Sequence, residues 1–218
     1  MARLRLEGQI EKSRKNKVIE YYNKVARRYE NRFPTEFIGR REMRVFSQML
    51  PSEPIKALDF GCGTGRSTGV LLRANYTLTG YDPSPEMLAM AKSAYPQFER
   101  NVEWFNSKND LAGKQWPLIT CIGVMDYFPD AAMLIRELCN YLMPGGTLIF
   151  SCPNSLSPLG RIFQVLSRFT CQVYPKSEYT LCAILRAMGF SINEVRYAFP
   201  ETRGIGHTLF ISATLLHE

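Results

Sequence analysis

The run Ala57-Leu58-Asp59-Phe60-Gly61-Cys62-Gly63-Thr64-Gly65-Arg66 constrains what this chain can fold into more than any other stretch. An apolar strand ends in an acid, enters a glycine-rich turn and leads straight into a helix beginning near Arg66. A Cβ at those glycines would occupy a ligand's space or forbid the turn, so a ligand belongs against the bare backbone here. The next β-rich run ends in Gly80-Tyr81-Asp82-Pro83-Ser84-Pro85, which sets Asp82 17 residues beyond Gly65 at the tip of the neighbouring strand. A carboxylate in that place can accept both hydroxyls of a ribose. The two features together, in a strand-helix-strand unit of the right length, point to an adenosine-containing ligand.

The chain around this unit alternates short β-rich runs with helical stretches, the pattern of a mainly parallel sheet. Strands are expected at 56–60, 76–81, 102–106, 118–124, 146–151, 192–199 and 208–215. Helices are expected to begin near Arg66, Pro85, Ala131 and Ser177, with an irregular or helical insert between Ser155 and Thr170. No helical run separates the last two strands, only the turn-rich link from Pro200 to Gly206, so they must pair antiparallel. The expected fold is therefore α/β, with seven strands, mostly parallel, and a C-terminal antiparallel hairpin. Ahead of the sheet, residues 10–33 read as a helix, since Val18, Tyr22, Val25 and Tyr29 share one face. Pro34 interrupts it, and a second helix is expected from Gly39 to Leu50. The expected division is a cap of helices over residues 1–50, packed on a core domain of residues 51–218 with a substrate-side insert at 153–179.

A nicotinamide-binding turn reads G-x-G-x-x-G, whereas here the third glycine comes one residue early, at Gly65, and Arg stands at 66. The run Leu58 to Gly65 closely resembles the first motif of class I S-adenosylmethionine methyltransferases, and Gly80-Tyr81-Asp82-Pro83-Ser84-Pro85-Glu86-Met87 resembles their second. Cys121-Ile122-Gly123-Val124-Met125-Asp126-Tyr127 is similar to the family's fourth strand and its tip, and Leu142 to Phe150 to the turn into its fifth strand. Residues 18–30 are similar to the cap helix of family members acting on small molecules, including those of quinone biosynthesis. The resemblance implies a Rossmann-like three-layer sandwich and S-adenosylmethionine as cofactor. It also implies site residues. Gly61, Cys62 and Gly63 would pack on the methionine part, Asp82 would hold the ribose and Met87 would lie near the adenine, with Asp59, Gly65, Pro83 and Gly123 also at the cofactor. Asn109 or Asp110 would meet the adenine amino group. Apart from the resemblance, Tyr22 and Tyr29 have two readings: they close over the cofactor from the cap, or they are the core face of its helix.

Methyl transfer from a sulfonium is an in-line displacement that asks the protein mainly to align the acceptor and exclude water. A general base is needed where the acceptor is protonated, and Asp126, Tyr127 and His207 are the candidates. Parallel-sheet sites lie beyond the carboxyl ends of the strands, so Asp126, Tyr127, Ser151 and Asn154 should meet the acceptor, while His207 should open the last strand beside the fifth. The acceptor is read as small and lipophilic or aromatic, because 155–179 is unusually apolar for a connection at a substrate edge; the same segment would suit a membrane contact. Cys152 sits in neither of the patterns of cytosine methyltransferases and is read as a packed thiol. A nicotinamide-dependent oxidoreductase and a non-catalytic methyltransferase-like binding subunit are the competing readings.

Charge adds one further constraint. Residues 1–50 carry 13 basic and 6 acidic side chains, a balance of +7 that equals the net charge of the whole chain, so residues 51–218 are neutral. A basic arm on a neutral body suits an anionic partner: a membrane surface, an anionic substrate, or a polyanion such as tRNA, with nucleic acid the less expected. The start lacks a signal or spanning segment, which reads as a cytoplasmic protein, peripheral at a membrane surface where the arm engages one. The two histidines and six scattered cysteines indicate neither a metal site nor a disulfide framework.

Overall fold

A computed structural model describes residues 2–29 and 35–216. Seven strands form one sheet: β1 Lys56–Phe60, β2 Thr77–Tyr81, β3 Val102–Phe105, β4 Trp116–Cys121, β5 Leu142–Pro153, β6 Phe190–Ala198 and β7 Thr208–Leu215. Their spatial order is β3-β2-β1-β4-β5-β7-β6. The first five run parallel, while β7 lies antiparallel between β5 and β6. The mostly parallel seven-stranded sheet with a closing antiparallel hairpin is thus the observed architecture.

The helices are α1 Ala2–Val25, α2 Thr35–Gln48, α3 Arg66–Arg73, α4 Pro85–Ala94, α5 Ala131–Cys139, α6 Pro158–Ser167 and α7 Glu178–Ala187. They divide the core into two apolar layers because successive strand residues point to opposite faces. Leu58, Ile119, Phe150 and Ile211 face α5 and α7, whose Leu134, Leu138, Leu181 and Leu185 are buried against them. Ala57, Leu118, Ile149 and Phe210 face the other way, against Phe46 of α2 and Leu71 of α3. Asp59 and Thr120 fall on this second face between apolar neighbours, so their polar atoms must be satisfied from α3.

The structure moves several expected boundaries. Strand β4 starts at Trp116 and stops at Cys121, where residues 118–124 were expected. It accommodates Pro117 through a wide irregularity, for Trp116 pairs with Leu142 while Leu118 pairs with Thr147. The Pro144-Gly145 turn thus bulges out within β5, which begins at Leu142 and not at residue 146. At its other end the chain leaves the sheet at Gly123, where φ is +72°. Helix α1 begins at Ala2 and ends at Val25, followed by a 3-10 turn, Ala26–Arg28, that buries Ala26. Helix α2 begins ahead of Gly39. That glycine is interior to the helix, and a Cβ there would stand 2.2 Å from Arg66 Nη1, so it serves packing and not a boundary. The expected break at Pro34 lies outside the described residues.

Among the described residues no helix is long and apolar enough to cross a membrane, and no three metal-ligating side chains cluster. The six cysteines are unpaired, with Cys152 fully buried in the core. Because Phe46 of α2 is completely buried against the sheet, Phe46→Ala should cost about 3–5 kcal/mol of stability in urea unfolding. The single transition should move as one; an unchanged core midpoint would mean that α2 folds as a separate unit.

Candidate active site

The order of strands reverses between β1 and β4, and there the carboxyl ends of the strands leave a crevice. The turn after β1 is held on it by two buried carboxylates. Asp59, completely buried, accepts from Ser67 Oγ (2.8 Å), Thr68 Oγ1 (2.7 Å) and Thr120 Oγ1 (2.9 Å). Burial pushes its carboxyl up, while these three hydroxyls pull it back. It ties the start of α3 to the two central strands from beneath. Although expected at the cofactor, Asp59 does not line the crevice.

Asp82 stands at the tip of β2, and its Oδ2 accepts the Gly63 N–H at 2.8 Å while its Oδ1 accepts the Ser84 N–H at 2.8 Å. The bare turn and the acid at 82 are therefore in direct contact. Burial raises the Asp82 carboxyl to about 6, against the pull of those two N–H groups. Each oxygen keeps a lone pair for a further donor. The three glycines of the turn do different work. Gly61, with φ +77°, lets Val124 approach to where a Cβ would be 2.2 Å away. A Cβ at Gly65 would meet the Tyr95 ring at 2.7 Å, so this glycine serves the packing of α3 on α4 and lies off the crevice wall. Only Gly63 faces open space, since a Cβ at that position would meet nothing within 4 Å.

A cavity of about 380 Å³ opens above this turn. Gly61, Cys62, Gly63, Asp82, Pro83, Met87 and Gly123 line one half. Tyr22 and Tyr29 reach it from the cap, with Tyr22 packed edge-on against Tyr29 and Tyr127 and hydroxyl to hydroxyl with Tyr127. Burial, then mutual repulsion, pushes the Tyr22 phenol well up. Asn23 of α1 meets Ser84 Oγ (2.5 Å), which fastens the cap to the start of α4. Asn109 and Asp110 are not on this wall. They lie in a 3-10 turn, Lys108–Leu111, and Asp110 borders a smaller hollow between α4 and β3, because the chain after β3 curls away from the crevice.

The other half of the cavity is acidic and apolar. Asp126 and Tyr127 occupy a 3-10 turn after β4, clamped by Tyr174 N–H donating to the Asp126 carbonyl (2.7 Å) and by Lys176 Nζ donating to the carbonyls of Met125 and Tyr174. Burial, then the charge of Glu42, raises the Asp126 carboxyl to about 7. His207 immediately precedes β7, beside the end of β5; burial lowers its pKa, and Glu42 opposes that shift. Asp126 Oδ1 and His207 Nδ1 are the buried side-chain polar atoms left without a partner among the described residues, and both residues line this one cavity. A buried polar atom without a partner is costly, so this wall of the cavity carries two unsatisfied polar atoms.

Ser151 lines the cavity, its Oγ occupied by the Gly123 N–H at 3.0 Å. Asn154 does not meet the acceptor space. Its amide donates to the carbonyls of Gly204 (3.2 Å) and Gly206 (3.0 Å), and its N–H to that of His207 (2.7 Å), so it positions His207. Sequence reasoning missed Glu42, which accepts from Thr208 Oγ1 at 2.5 Å; Phe163, part of the apolar insert read as pocket lining, packs edge-on against His207 with ring centroids 5.7 Å apart. Sequence reasoning also missed Arg66, whose guanidinium covers the Tyr29 ring at 5.5 Å. Only Arg66 had a local signal, being the first residue of a helix after the glycine turn.

The family model described as a methyltransferase domain matches residues 28–205. Ubiquinone biosynthesis O-methyltransferase of Xanthomonas campestris pv. campestris (strain B100) is 27% identical over 128 residues, covering 57% of this chain and 54% of that protein. Trans-aconitate 2-methyltransferase of Azoarcus sp. (strain BH72) is 37% identical over 102 residues, 45% of this chain and 39% of that protein. The chain spans about half the length or less of these curated relatives. In fold it is similar to magnesium protoporphyrin IX methyltransferase from Synechocystis PCC 6803, solved with bound SAH, at a TM-score of 0.75 and 19% identity, covering 92% of this chain and 99% of that one.

Two outcomes follow from the buried acids. Asp59→Asn turns an amide donor toward hydroxyl donors and should cost about 2 kcal/mol in urea unfolding. The raised Asp126 carboxyl keeps its proton up to about pH 7, whereas the unfolded chain loses it near 3.8. Its stabilising contribution is therefore full below the unfolded value and declines as pH rises toward 7. The melting temperature of Asp126→Asn relative to the parent should rise between pH 5 and pH 8; a constant difference would refute the shift.

Proposed function

The chain belongs to the methyltransferase-domain family, and from that premise we propose that it binds S-adenosylmethionine and transfers its methyl group to a small acceptor with a lipophilic or aromatic body. The observation that carries this reading is the contact between Gly63 N–H and Asp82, with open space above Gly63 and free lone pairs on the carboxylate. That cradle fits a nucleoside whose ribose hydroxyls donate to Asp82 while its chain lies along Gly61-Cys62-Gly63. When bound, the cofactor supplies a methyl group on positively charged sulfur, already activated for in-line displacement.

The chain's own residues then have four tasks. Asp82 orients the ribose, and Met87 and Pro83 cover the adenine side with apolar surface. Tyr22, Tyr29 and Tyr127 close the cavity from above and keep water from the reacting atoms. The phenols of Tyr22 and Tyr127 stay protonated, since burial raises both, so these two act as hydrogen-bond donors and ring surfaces. His207, held neutral by burial, lines the acceptor half and can take a proton from the acceptor. Glu42 nearby favours the imidazolium that results. Asp126 fixes a second polar group of the acceptor.

The curated relatives are named for ubiquinone biosynthesis and for trans-aconitate, both small-molecule chemistries, which supports a small acceptor. Phe163, Ile38, Met43 and Val173 give the acceptor half an apolar lining, which supports a lipophilic one. The basic helix α1 is assigned an anionic surface partner in the same reading. In calorimetry S-adenosylhomocysteine should bind and NADH should not, and Asp82→Ala should weaken the former by about a hundredfold or more, since two lost hydrogen bonds to a charged group are worth about 3 kcal/mol at the least. Binding of NADH alone would overturn the assignment.

A further inference from the structure

Helix α6 reverses the usual arrangement of a surface helix. Its buried positions are Gly160 and Ser167, with Gln164 half-buried between them, and Phe163 alone of its large apolar residues also reaches inward, to the cavity. Gly160 lets the helix backbone lie directly on the chain below, where a Cβ would be 2.3 Å from the Asn154 carbonyl. Ser167 Oγ donates to the Gln164 carbonyl (2.8 Å) and accepts the Val173 N–H (3.1 Å). The apolar side chains point outward. Leu159, Ile162, Val165 and Leu166 are 38%, 55%, 53% and 61% exposed, and Phe169 just beyond the helix is 87% exposed. A soluble helix turns such a stripe to the core, and a contiguous exposed patch of this kind marks a docking surface.

Charge identifies the occupant. Residues 151–177 contain Arg161, Arg168 and Lys176 and no acid, and both arginines are exposed on α6 and its end. The basic helix α1 borders the same side, with Arg14 over the Tyr174 ring (5.6 Å) and Lys15 over the Phe128 ring (5.3 Å). A second copy docked through this face about a two-fold axis would bring the Arg161 and Arg168 of both chains into one interface, with no acid in the segment to meet them. An anionic lipid surface meets both requirements, acyl chains for the apolar stripe and phosphates for the cations.

We propose that α6 lies in the interface of an anionic bilayer, with Ile162, Val165, Leu166 and Phe169 among the acyl chains and Arg161 and Arg168 at the headgroups. Phe163 links this surface to the cavity, for it is 42% exposed and its ring also packs on His207. A helix resting on lipid would thus be one wall of the cavity, and a lipophilic acceptor dissolved in the bilayer would enter past Phe163. The docking itself rests on α6 and its charges and not on the methyl-transfer reading.

Flotation of the full chain with vesicles of phosphatidylcholine and phosphatidylglycerol tests it without any turnover. The parent should float with the mixed vesicles and much less with phosphatidylcholine alone. Ile162→Ser/Leu166→Ser/Phe169→Ser should bind the mixed vesicles about tenfold more weakly or less still, since each removes exposed apolar surface available to lipid. Arg161→Glu/Arg168→Glu, at exposed positions where Arg161 gives up one surface hydrogen bond to the Ser155 carbonyl, should lose about tenfold or more on the mixed vesicles alone. Both variants should keep the parent's melting temperature and its calorimetric response to S-adenosylhomocysteine. A parent that does not float, a serine variant that floats equally well, or light scattering showing a dimer that the serine variant dissolves would each overturn the proposal.

Discussion

The site depends on a short stretch of backbone kept bare, and two acids keep it so. Asp59 gathers three hydroxyls beneath the turn after β1, and Asp82 takes the Gly63 N–H above it. Each carboxylate is buried at a cost that its hydrogen bonds offset, so each is satisfied only while strand, turn and helix keep their relation. The acids divide the labour. Asp59 is spent entirely on protein, whereas Asp82 retains lone pairs facing the cavity. That difference separates a residue that builds the turn from one placed to read a ligand.

On the acceptor side the chemistry is assembled from parts distant along the chain. Glu42 comes from a cap helix, Asp126 and Tyr127 from the turn after β4, Phe163 from the insert and His207 from the residue just before β7. Burial makes neutral forms of Asp126 and His207 easier to hold, and each leaves an unsatisfied polar atom in this wall of the cavity. Tyr22 joins the two halves, since it touches Tyr127 below and Tyr29 beside it. The cap therefore completes the cavity in addition to covering it.

Local signals were legible where a residue's role is set by its chain neighbours. The glycine turn, the acid at 82, the start of α3 at Arg66 and the last strand from Thr208 all follow from short patterns, and each stands where those patterns put it. Asp59 was legible as part of the motif but not in its role, because the hydroxyls that claim it come from α3 and β4. Asn109 and Asp110 were expected by resemblance at a position where this chain curls away. Asn154, read as facing the acceptor, instead carries the loop that presents His207. Glu42 left no trace in the sequence, since nothing local distinguishes it from the other charges of a basic segment.

By itself the sequence determined the alternation of strands and helices, the antiparallel close of the sheet and the place where a nucleoside would lie. These rest on periodicity and on backbone freedom, properties that neighbours along the chain settle. The tertiary structure alone decided which acids face the cavity, which are consumed in holding it, and that an apolar helix turns outward beside basic side chains. Those outcomes depend on burial and on partners more than a hundred residues away, as with Tyr22 and Tyr127 or Thr208 and Glu42, and no local pattern encodes them.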